Sequence, residues 1–179
     1  MTMRGITLDT PALADAGAIS AVAQASFRQT FASRDYPAED LASFLDRAMS
    51  ERTYAAQIAD PDYGIRVARD AAGAIVGFVK TGPTDLPMPP GEPDGPATRE
   101  LHQLYLLDAA KGSGIADMMM RWVESDARAR GAIALYLSVY IDNHRARRFY
   151  ARHGFVEIGR NPFPVGRVID DDRVWRKWL

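Results

Sequence analysis

A glycine-rich turn is the feature that most constrains how this sequence can fold. It follows an apolar run at residues 104–107, precedes an amphipathic segment, and reads Lys111-Gly112-Ser113-Gly114-Ile115-Ala116. This order predicts a strand, a tight turn and a helix. Glycines let the backbone approach a ligand closely, and the first N–H groups of a helix have no partner within it. The turn therefore predicts a seat for a phosphate group at the start of a helix.

Two common phosphate-binding motifs fit this turn poorly. A nucleotide-binding P-loop ends in Gly-Lys followed by Ser or Thr, whereas Lys111 precedes the glycines here. A dinucleotide-binding fingerprint needs a third glycine three residues after Gly114, where this chain has Asp117. The turn is therefore interpreted as a phosphate site of another kind.

The composition is that of an ordinary globular protein and argues against several classes. The chain has 179 residues, 47% of them hydrophobic and 25% charged, with a formal net charge of −1. No bulk attraction to nucleic acid or to a membrane surface follows from that charge. The absence of cysteine excludes disulfides and thiolate metal sites. Without an apolar run of about 18 residues or a signal-peptide core, we expect a cytoplasmic chain with one domain over residues 1–179 and no nucleic-acid or membrane partner.

Apolar periodicity predicts the helices and strands. The predicted helices cover residues 10–31, 41–49, 50–58, 115–130 and 143–153. The predicted strands cover residues 4–8, 64–69, 74–82, 99–107, 134–139, 155–159 and 168–178. Proline-rich residues 83–97 are predicted to form a loop. The order indicates an α/β fold with a mixed sheet, in which an antiparallel meander is followed by two strands joined by the long helix.

Several apolar side chains are expected to pack in the core rather than to function. Met118–Met120 lie in the long helix, where packing is the expected role of methionine. Trp175 and Trp178 are expected to cover the core from the last strand. Leu13 is expected on the inner face of the first helix.

A second motif, downstream of the turn, is much more specific. It reads Asn143-x-x-Ala146-x-x-Phe149-Tyr150 and is followed by Gly154-Phe155. Together with Lys111-x-x-Gly114-x-Ala116, it resembles the signatures of the GNAT superfamily, the acetyl-CoA-dependent N-acetyltransferases. Lys111 replaces the usual glutamine or arginine but keeps a positive charge, and backbone N–H groups do most of the phosphate binding. The resemblance implies an α/β fold with a mixed, mostly antiparallel central sheet of about seven strands and helices on both faces.

Four further segments resemble the bacterial polyamine branch of this superfamily, the spermidine and spermine type. They are Phe27-Arg28-Gln29-Thr30-Phe31, Gly77-Phe78-Val79-Lys80, Glu100-Leu101-His102-Gln103-Leu104-Tyr105-Leu106 and Leu137-Ser138-Val139-Tyr140. This closer resemblance implies a polyamine as the acetyl acceptor.

The resemblance also implies how acetyl-CoA binds. Backbone groups of Leu104 and Leu106 would pair with the pantetheine arm and polarise the acetyl carbonyl. Main-chain N–H groups of the glycine-rich turn would hold the pyrophosphate, Asn143 would contact the cofactor arm, and Arg148 would reach a CoA phosphate. The implied cofactor-binding residues are Leu104, Leu106, Lys111, Gly112, Ser113, Gly114, Ile115, Ala116, Asn143 and Arg148.

The implied reaction needs a base and an acid. An alkylamine has a pKa of about 10, so it must lose a proton before it attacks the thioester. Glu100 and His102 are the candidate bases, with a water chain as the alternative, and their spacing predicts that they share a strand face with Leu104. Tyr150 is the candidate acid for the departing thiolate, because a phenol pKa of about 10 suits a thiol pKa of about 8.5.

The acceptor is less constrained than the donor. Asp85, Glu92 and Asp94 of the loop would attract a polycation, so a small primary amine, and first of all a polyamine, is the favoured acceptor. A peptide or protein amine and an amine-bearing antibiotic are alternatives, as is a non-catalytic acyl-CoA-binding sensor. No metal site is predicted, because His144 and His153 lack partners at metal-ligand spacing. A monomer and a homodimer both fit the sequence.

Overall fold

The computed structural model describes residues 2–3 and 5–179. The helices are α1 (Ala16–Thr30), α2 (Ala38–Ala48), α3 (Glu51–Ala59), α4 (Ile115–Ala129) and α5 (His144–Arg152). The strands are β1 (Thr2–Met3), β2 (Ile6–Asp9), β3 (Gly64–Arg69), β4 (Ile75–Gly82), β5 (Thr98–Leu106), β6 (Ala134–Tyr140), β7 (Val156–Val165) and β8 (Val168–Trp178). The predicted strand at 4–8 begins at Arg4, which lies outside the described residues. None of the described helices has the length and apolar character that a membrane span requires.

The described strands form one sheet in the order β1-β2-β3-β4-β5-β6-β8-β7. Neighbours are antiparallel except β5 and β6, which are parallel and joined by α4. A parallel pair needs such a crossover connection, whereas antiparallel strands can be joined by short turns. The mixed, mostly antiparallel sheet is therefore confirmed, with seven longer strands and the two-residue edge strand β1.

The β5–β6 ladder is short, and this opens the sheet. The paired positions are Thr98 with Ala134, Arg99 with Leu135 and Glu100 with Tyr136. Past Glu100, the described parts of the two strands are no longer paired with each other. The sheet is therefore split at the carboxyl ends of β5 and β6.

Helices cover both faces of the sheet. On one face, Ile115, Met119 and Val123 of α4 are fully buried against β5 and β6. On the other, Phe27 of α1 and Tyr54 of α3 pack in a second buried group. Burying side chains of this size stabilises the fold by about 1.5–3 kcal/mol each. Helices on both faces are thus confirmed, as is the core position of Met118–Met120.

Local signals in the sequence account for several element ends. Ser50 Oγ accepts a hydrogen bond from the Thr53 N–H at 3.3 Å and begins α3 as predicted. Gly131, with a φ of 80°, follows the end of α4. A left-handed residue at this position is how many helices terminate, and glycine adopts it without strain.

The structure differs from the sequence prediction at both ends of the chain. The first helix begins at Ala16 and not near Thr10. Asp15 Oδ2 accepts hydrogen bonds from the Ala12 N–H at 2.8 Å and from Arg69 at 2.7 Å. These bonds hold the residues before Ala16 in a turn. Leu13 lies in that turn and is 59% exposed, so its expected core position is wrong. Trp175 is buried, whereas Trp178 is 52% exposed at the end of β8.

Strand β7 is twice as long as predicted, Val156–Val165 in place of 155–159. It contains Pro162 and Pro164, which cannot donate to a ladder. Because β7 is the outer strand of the described sheet, beside β8 only, these prolines are tolerated there.

Candidate active site

A cavity of about 1010 Å³ lies where β5 and β6 diverge. It brings together most of the residues that the sequence singled out. The predicted site residues that line it are Glu100, His102, Leu104, Leu106, Lys111, Gly112, Gly114, Ala116, Asn143, Arg148 and Tyr150. Ser113 and Ile115 are the predicted residues that do not line it.

The glycine-rich turn presents unpaired N–H groups at one end of this cavity. Gly112 and Gly114 have φ values of 79° and 86°, in the left-handed region that favours glycine. Among the described residues, the backbone N–H groups of Gly112, Gly114, Ala116 and Asp117 have no hydrogen-bond acceptor. Several unpaired N–H groups at a helix start form an anion-binding site. The chain's own geometry thus fits a pyrophosphate.

Ser113 and Ile115 shape the turn instead of facing the cavity. Ser113 Oγ donates to the Ala110 carbonyl at 2.6 Å and accepts from the Ile115 N–H at 3.4 Å. The Ile115 side chain is fully buried in the core. Their polar groups thus already have partners within the turn, and their predicted part in cofactor binding stays a prediction.

Basic side chains of α5 line the cavity beside the turn. Arg145, Arg148 and Arg152 all face it, as their spacing on one helix side allows. Lys111 also lines it, but its ammonium is paired with Asp108. Such exposed pairs are worth little and exchange readily, so Lys111 can turn to an incoming phosphate.

His153 has a carboxylate partner that the sequence did not reveal. Its Nε2 lies 2.9 Å from Asp117 Oδ1. This contact ties the end of α5 to the first turn of α4. It positions the arginine-bearing helix beside the glycine-rich turn.

Asn143 has a structural role as well as a place in the cavity. Its Oδ1 accepts from the Ala146 N–H at 3.1 Å and caps α5. The Nδ2 amino group is left to donate to a ligand. Asn143 can therefore cap α5 through Oδ1 and contact a ligand in the cavity through Nδ2 at the same time.

Tyr150 lies on α5 and is half-buried against Phe149 and Phe155, with ring centroids 5.4 Å and 5.8 Å away. Burial raises the pKa of its phenol above the ordinary value, and the nearby Tyr105 adds to the effect. Tyr150 therefore keeps its proton at neutral pH. The raised pKa makes this phenol a weaker acid than the sequence alone predicts, but the proton remains available to a departing thiolate.

The carboxyl half of β5 directs backbone groups into the gap between β5 and β6. The Leu107 N–H donates to the Val76 carbonyl at 2.9 Å, so this pair is hydrogen-bonded across the β4–β5 ladder. Hydrogen-bonded and non-bonded pairs alternate in an antiparallel ladder. Leu106 and Leu104, opposite Gly77 and Val79, are therefore at non-bonded positions and turn their N–H and C=O groups away from β4.

A β-bulge at His102 corrects the predicted face of the catalytic candidates. Lys80 pairs with Gln103 but Thr81 pairs with Leu101, so β5 carries one extra residue. Leu101 and Leu104 consequently pack in the same core on the α4 side, which strict alternation would forbid. Glu100, next to Leu101, lies on the opposite face, and the expectation that it shares a face with Leu104 is wrong.

Glu100 and His102 are in direct contact. Glu100 Oε1 lies 3.1 Å from His102 Nδ1, and Glu100 Oε2 accepts from the Asp85 N–H at 3.2 Å. His102 Nε2 lies 3.1 Å from the Pro83 carbonyl oxygen. The loop at 83–85 thus holds both side chains. A Cβ on Gly82 would come within 2.7 Å of His102 Nε2, so only glycine leaves room for this ring.

Lys80 and Asp172 also line the cavity and were missed by sequence reasoning. Lys80 is 6% exposed, and burial lowers its pKa to about 8. Asp172 is 9% exposed, and burial raises its pKa to about 7. The sequence does contain one signal that could have identified Lys80. It is a charged residue that follows Phe78 and Val79 in an otherwise apolar strand.

The acidic loop contributes less to the cavity than its sequence suggested. Asp85 lines the cavity. Glu92 instead accepts from Arg176 at 2.6 Å and from the Tyr136 hydroxyl at 2.8 Å, across β6 and β8. Neither Glu92 nor Asp94 lines the cavity. Glu92 is therefore a structural ion-pair partner.

One cluster has the residue types of a cation site. Ligand atoms of Asp85, Glu100 and His102 lie within 4.8 Å of one another. The contact between Glu100 and His102 already satisfies one carboxylate oxygen and one ring nitrogen.

Comparison with known proteins places the fold and the cavity in a family. Residues 25–155 match the model of the Acetyltransferase (GNAT) family. An uncharacterised N-acetyltransferase of Mycobacterium tuberculosis is 33% identical over 165 residues, which cover 90% of this chain and 96% of the relative. An aminoalkylphosphonate N-acetyltransferase of Salmonella typhimurium is 30% identical over 117 residues, which cover 65% of this chain and 72% of the relative.

A solved structure shares the whole fold. The PaiA N-acetyltransferase of Thermoplasma acidophilum, crystallised with coenzyme A, superposes with a TM-score of 0.79 at 19% identity and covers 100% of both chains. The family match spans the glycine-rich turn and the Asn143–Tyr150 motif that were identified from the sequence. The chain therefore belongs to the Acetyltransferase (GNAT) family and is an acetyl-CoA-dependent N-acetyltransferase.

Proposed function

We propose that this protein, as a single N-acetyltransferase domain, acetylates the primary amine of a small cationic acceptor, first of all a polyamine. One observation carries the proposal: the cavity that starts at the unpaired N–H groups of the turn is also lined by carboxylates. Four line it: Asp117, which pairs with His153 beside the turn, and Asp85, Glu100 and Asp172. Carboxylates in a confined cavity attract a cationic substrate and raise its local concentration.

The glycine-rich turn binds the pyrophosphate of acetyl-CoA in this proposal. The N–H groups of Gly112, Gly114 and Ala116 donate to the phosphate oxygens, and Arg148 pairs with a further phosphate. Leu104 and Leu106 hydrogen-bond to the pantetheine arm through their backbone groups. Bound in this way, the thioester supplies the acyl group at the split between β5 and β6.

Glu100 takes the proton from the acceptor amine. His102 donates its Nε2 N–H to the Pro83 carbonyl, and its Nδ1 lies 3.1 Å from Glu100 Oε1, so the ring fixes the position of the carboxylate. The amine nitrogen then forms a bond to the carbonyl carbon while the bond from that carbon to sulfur breaks. Tyr150 gives its proton to the departing sulfur, and its phenolate takes the second proton from the attached nitrogen. An amide and coenzyme A result, and Glu100 releases its proton to solvent.

The charge of the cavity separates the candidate acceptors. A polyamine brings positive charge to Asp85, Glu100 and Asp172. An aminoalkylphosphonate, the acceptor class in the name of the Salmonella relative, brings an anion, which would have to lie near Arg145 or Arg148. Those arginines are at the end assigned to the CoA phosphates, so the polyamine is favoured.

The experiment is a thiol-release assay with purified protein, acetyl-CoA and a panel of amines. The panel contains spermidine, an alkyl monoamine, an aminoalkylphosphonate, an aminoglycoside and a peptide with a free N-terminus. We expect the highest kcat/KM with spermidine. A higher value for the phosphonate or the peptide would overturn the polyamine assignment, and no release above the hydrolysis background with any amine would overturn the small-amine proposal.

A further inference from the structure

Asp172 is a buried carboxylate at the centre of the sheet surface that lines the cavity. It lies on β8, opposite Tyr140 of β6 and Asn161 of β7 in the strand register. It is 9% exposed and lines the cavity. The proposed proton transfers do not involve it.

The two oxygens of this carboxylate differ. Oδ2 accepts from the Ser138 hydroxyl at 3.2 Å, and Ser138 Oγ in turn accepts from Asn161 Nδ2 at 3.0 Å. Oδ1 is buried and has no hydrogen-bond partner among the described residues. A buried, unpaired polar atom costs about 1–3 kcal/mol of stability. Such a cost at a cavity wall points to a partner that arrives with a ligand.

Neighbouring acids have cationic partners, whereas Asp172 has none among the described residues. Asp170 is bound by Arg34 at 2.5 Å and by the Tyr36 hydroxyl. Asp171 pairs with Arg173 at 2.7 Å. Within the part of the chain that the structure describes, no lysine, arginine or histidine lies within ion-pair distance of Asp172. The missing counterion can therefore be supplied from the cavity.

The surroundings suit an alkylammonium group. Phe31, Tyr140 and Phe163 line the same cavity, and aromatic walls accommodate methylene chains and attract cations. An ammonium carries three N–H donors. Asp172 Oδ1, the Asn161 side-chain carbonyl and the Ser138 hydroxyl are acceptors grouped on this wall.

We propose that Asp172, Ser138 and Asn161 form a binding site for the second ammonium group of a diamine or polyamine acceptor. The reacting amine of the same molecule reaches Glu100, on the other side of the split between β5 and β6. This inference rests on the proposed function, because it names the feature of the acceptor that the enzyme recognises. It makes Asp172 a specificity-determining residue.

The experiment compares each α,ω-diamine of three to six carbons with the monoamine of the same length. The variant is Asp172→Asn, which keeps the shape and removes the charge. Asp171→Asn is the matched control, since that carboxylate is exposed and already paired with Arg173. We expect Asp172→Asn to lower the ratio of kcat/KM for the diamine to kcat/KM for the monoamine at least tenfold, mainly through KM. Asp171→Asn should leave the ratio within twofold of the unmodified enzyme.

An unchanged ratio in Asp172→Asn, or an equal loss with diamine and monoamine, would overturn the inference. Calorimetric titration of the CoA-loaded protein with the preferred diamine tests it independently of turnover. If the unmodified enzyme acetylates no amine, the proposed function fails. In that case, a diamine affinity at least tenfold weaker in Asp172→Asn than in the unmodified protein still supports the ammonium site. A diamine affinity that is the same in both proteins, or undetectable in the unmodified protein, overturns it. Denaturation midpoints confirm that both variants are folded.

Discussion

Glu100 Oε1 lies 3.1 Å from Nδ1 of His102, the extra residue of a β-bulge. The second ring nitrogen faces the Pro83 carbonyl at 3.1 Å, and a carbonyl oxygen only accepts. His102 therefore uses an N–H at Nε2 to hold the loop and points its other nitrogen at Glu100. Both side chains line the cavity, and the proposed mechanism assigns the proton of the acceptor amine to the carboxylate.

Glu100→Gln should lower kcat/KM about 100-fold at pH 7.5, the usual size of a lost general base. The loss should shrink as the pH rises to 9.5, because an amine with a pKa of about 10 is then increasingly neutral without help. Initial rates across this pH range measure it. Glu92→Gln, which alters a carboxylate outside the cavity, is the control, and a pH-independent loss in Glu100→Gln would argue against the role of base.

Tyr150→Phe should lower kcat about 100-fold or more, because the departing thiolate then lacks its proton donor. The affinity for coenzyme A, measured by calorimetry, should stay within about threefold, since the change removes only a hydroxyl. Tyr136→Phe is matched to it: that hydroxyl donates to Glu92 at 2.8 Å and lies outside the cavity. It should cost about 1 kcal/mol of stability with little change in kcat. Equal kcat values for the two variants would remove Tyr150 from the mechanism.

Gly114→Ala should raise the KM for acetyl-CoA about tenfold or more. Gly114 has a φ of 86°, and a side chain there strains the loop whose N–H groups face the cavity. Gly131→Ala places the same change at a φ of 80° at the far end of α4, where a Cβ meets nothing within 4 Å. Both variants should lose about 1 kcal/mol of stability. A shift in KM of the same size in both would show that the effect is not local to the turn.

Gly82→Ala should lower kcat. The new Cβ would lie 2.6 Å from Tyr63 Cε1 and 2.7 Å from His102 Nε2. It would therefore displace the imidazole that orients Glu100. We expect a loss of about tenfold, smaller than for Glu100→Gln, since the carboxylate itself remains. Gly17→Ala in α1 is the control, as its Cβ meets only the flexible Glu51 carboxyl group. Wild-type kcat in Gly82→Ala would contradict the positioning role of His102.

Asp172→Asn should change how stability depends on pH. Burial raises the pKa of Asp172 to about 7 from 3.8, so the folded protein binds a proton that the unfolded chain releases between these values. Asp172 therefore contributes roughly 2–4 kcal/mol to the free energy of unfolding below pH 4, and this contribution is lost as the pH rises to 7. Urea unfolding at pH 5 and pH 8 should show a smaller decline in Asp172→Asn than in the unmodified protein. Parallel declines would mean that Asp172 does not titrate in this range.

The sequence predicted most elements and the glycine-rich turn well, because their signals are local. Ser50 and Gly131 mark helix ends, and the glycines of the turn directly create its unpaired N–H groups. The bulge at His102 has no such signal, since it arises from the pairing of β5 with β4. Asp172 was missed for a similar reason. The basic residue that binds the nearby Asp170 is Arg34, distant in the chain, and a sequence does not show which of two neighbouring acids such a residue reaches.

The three-pair ladder between β5 and β6 makes the central sheet two half-sheets joined at one end. An extended ligand arm that hydrogen-bonds to Leu104 and Leu106 would continue the sheet across the opening, in the manner of an added strand. Acetyl-CoA would then be part of the architecture during each catalytic cycle. The loaded enzyme would be stiffer and more resistant to unfolding than the empty one, and each release of coenzyme A would reopen the seam.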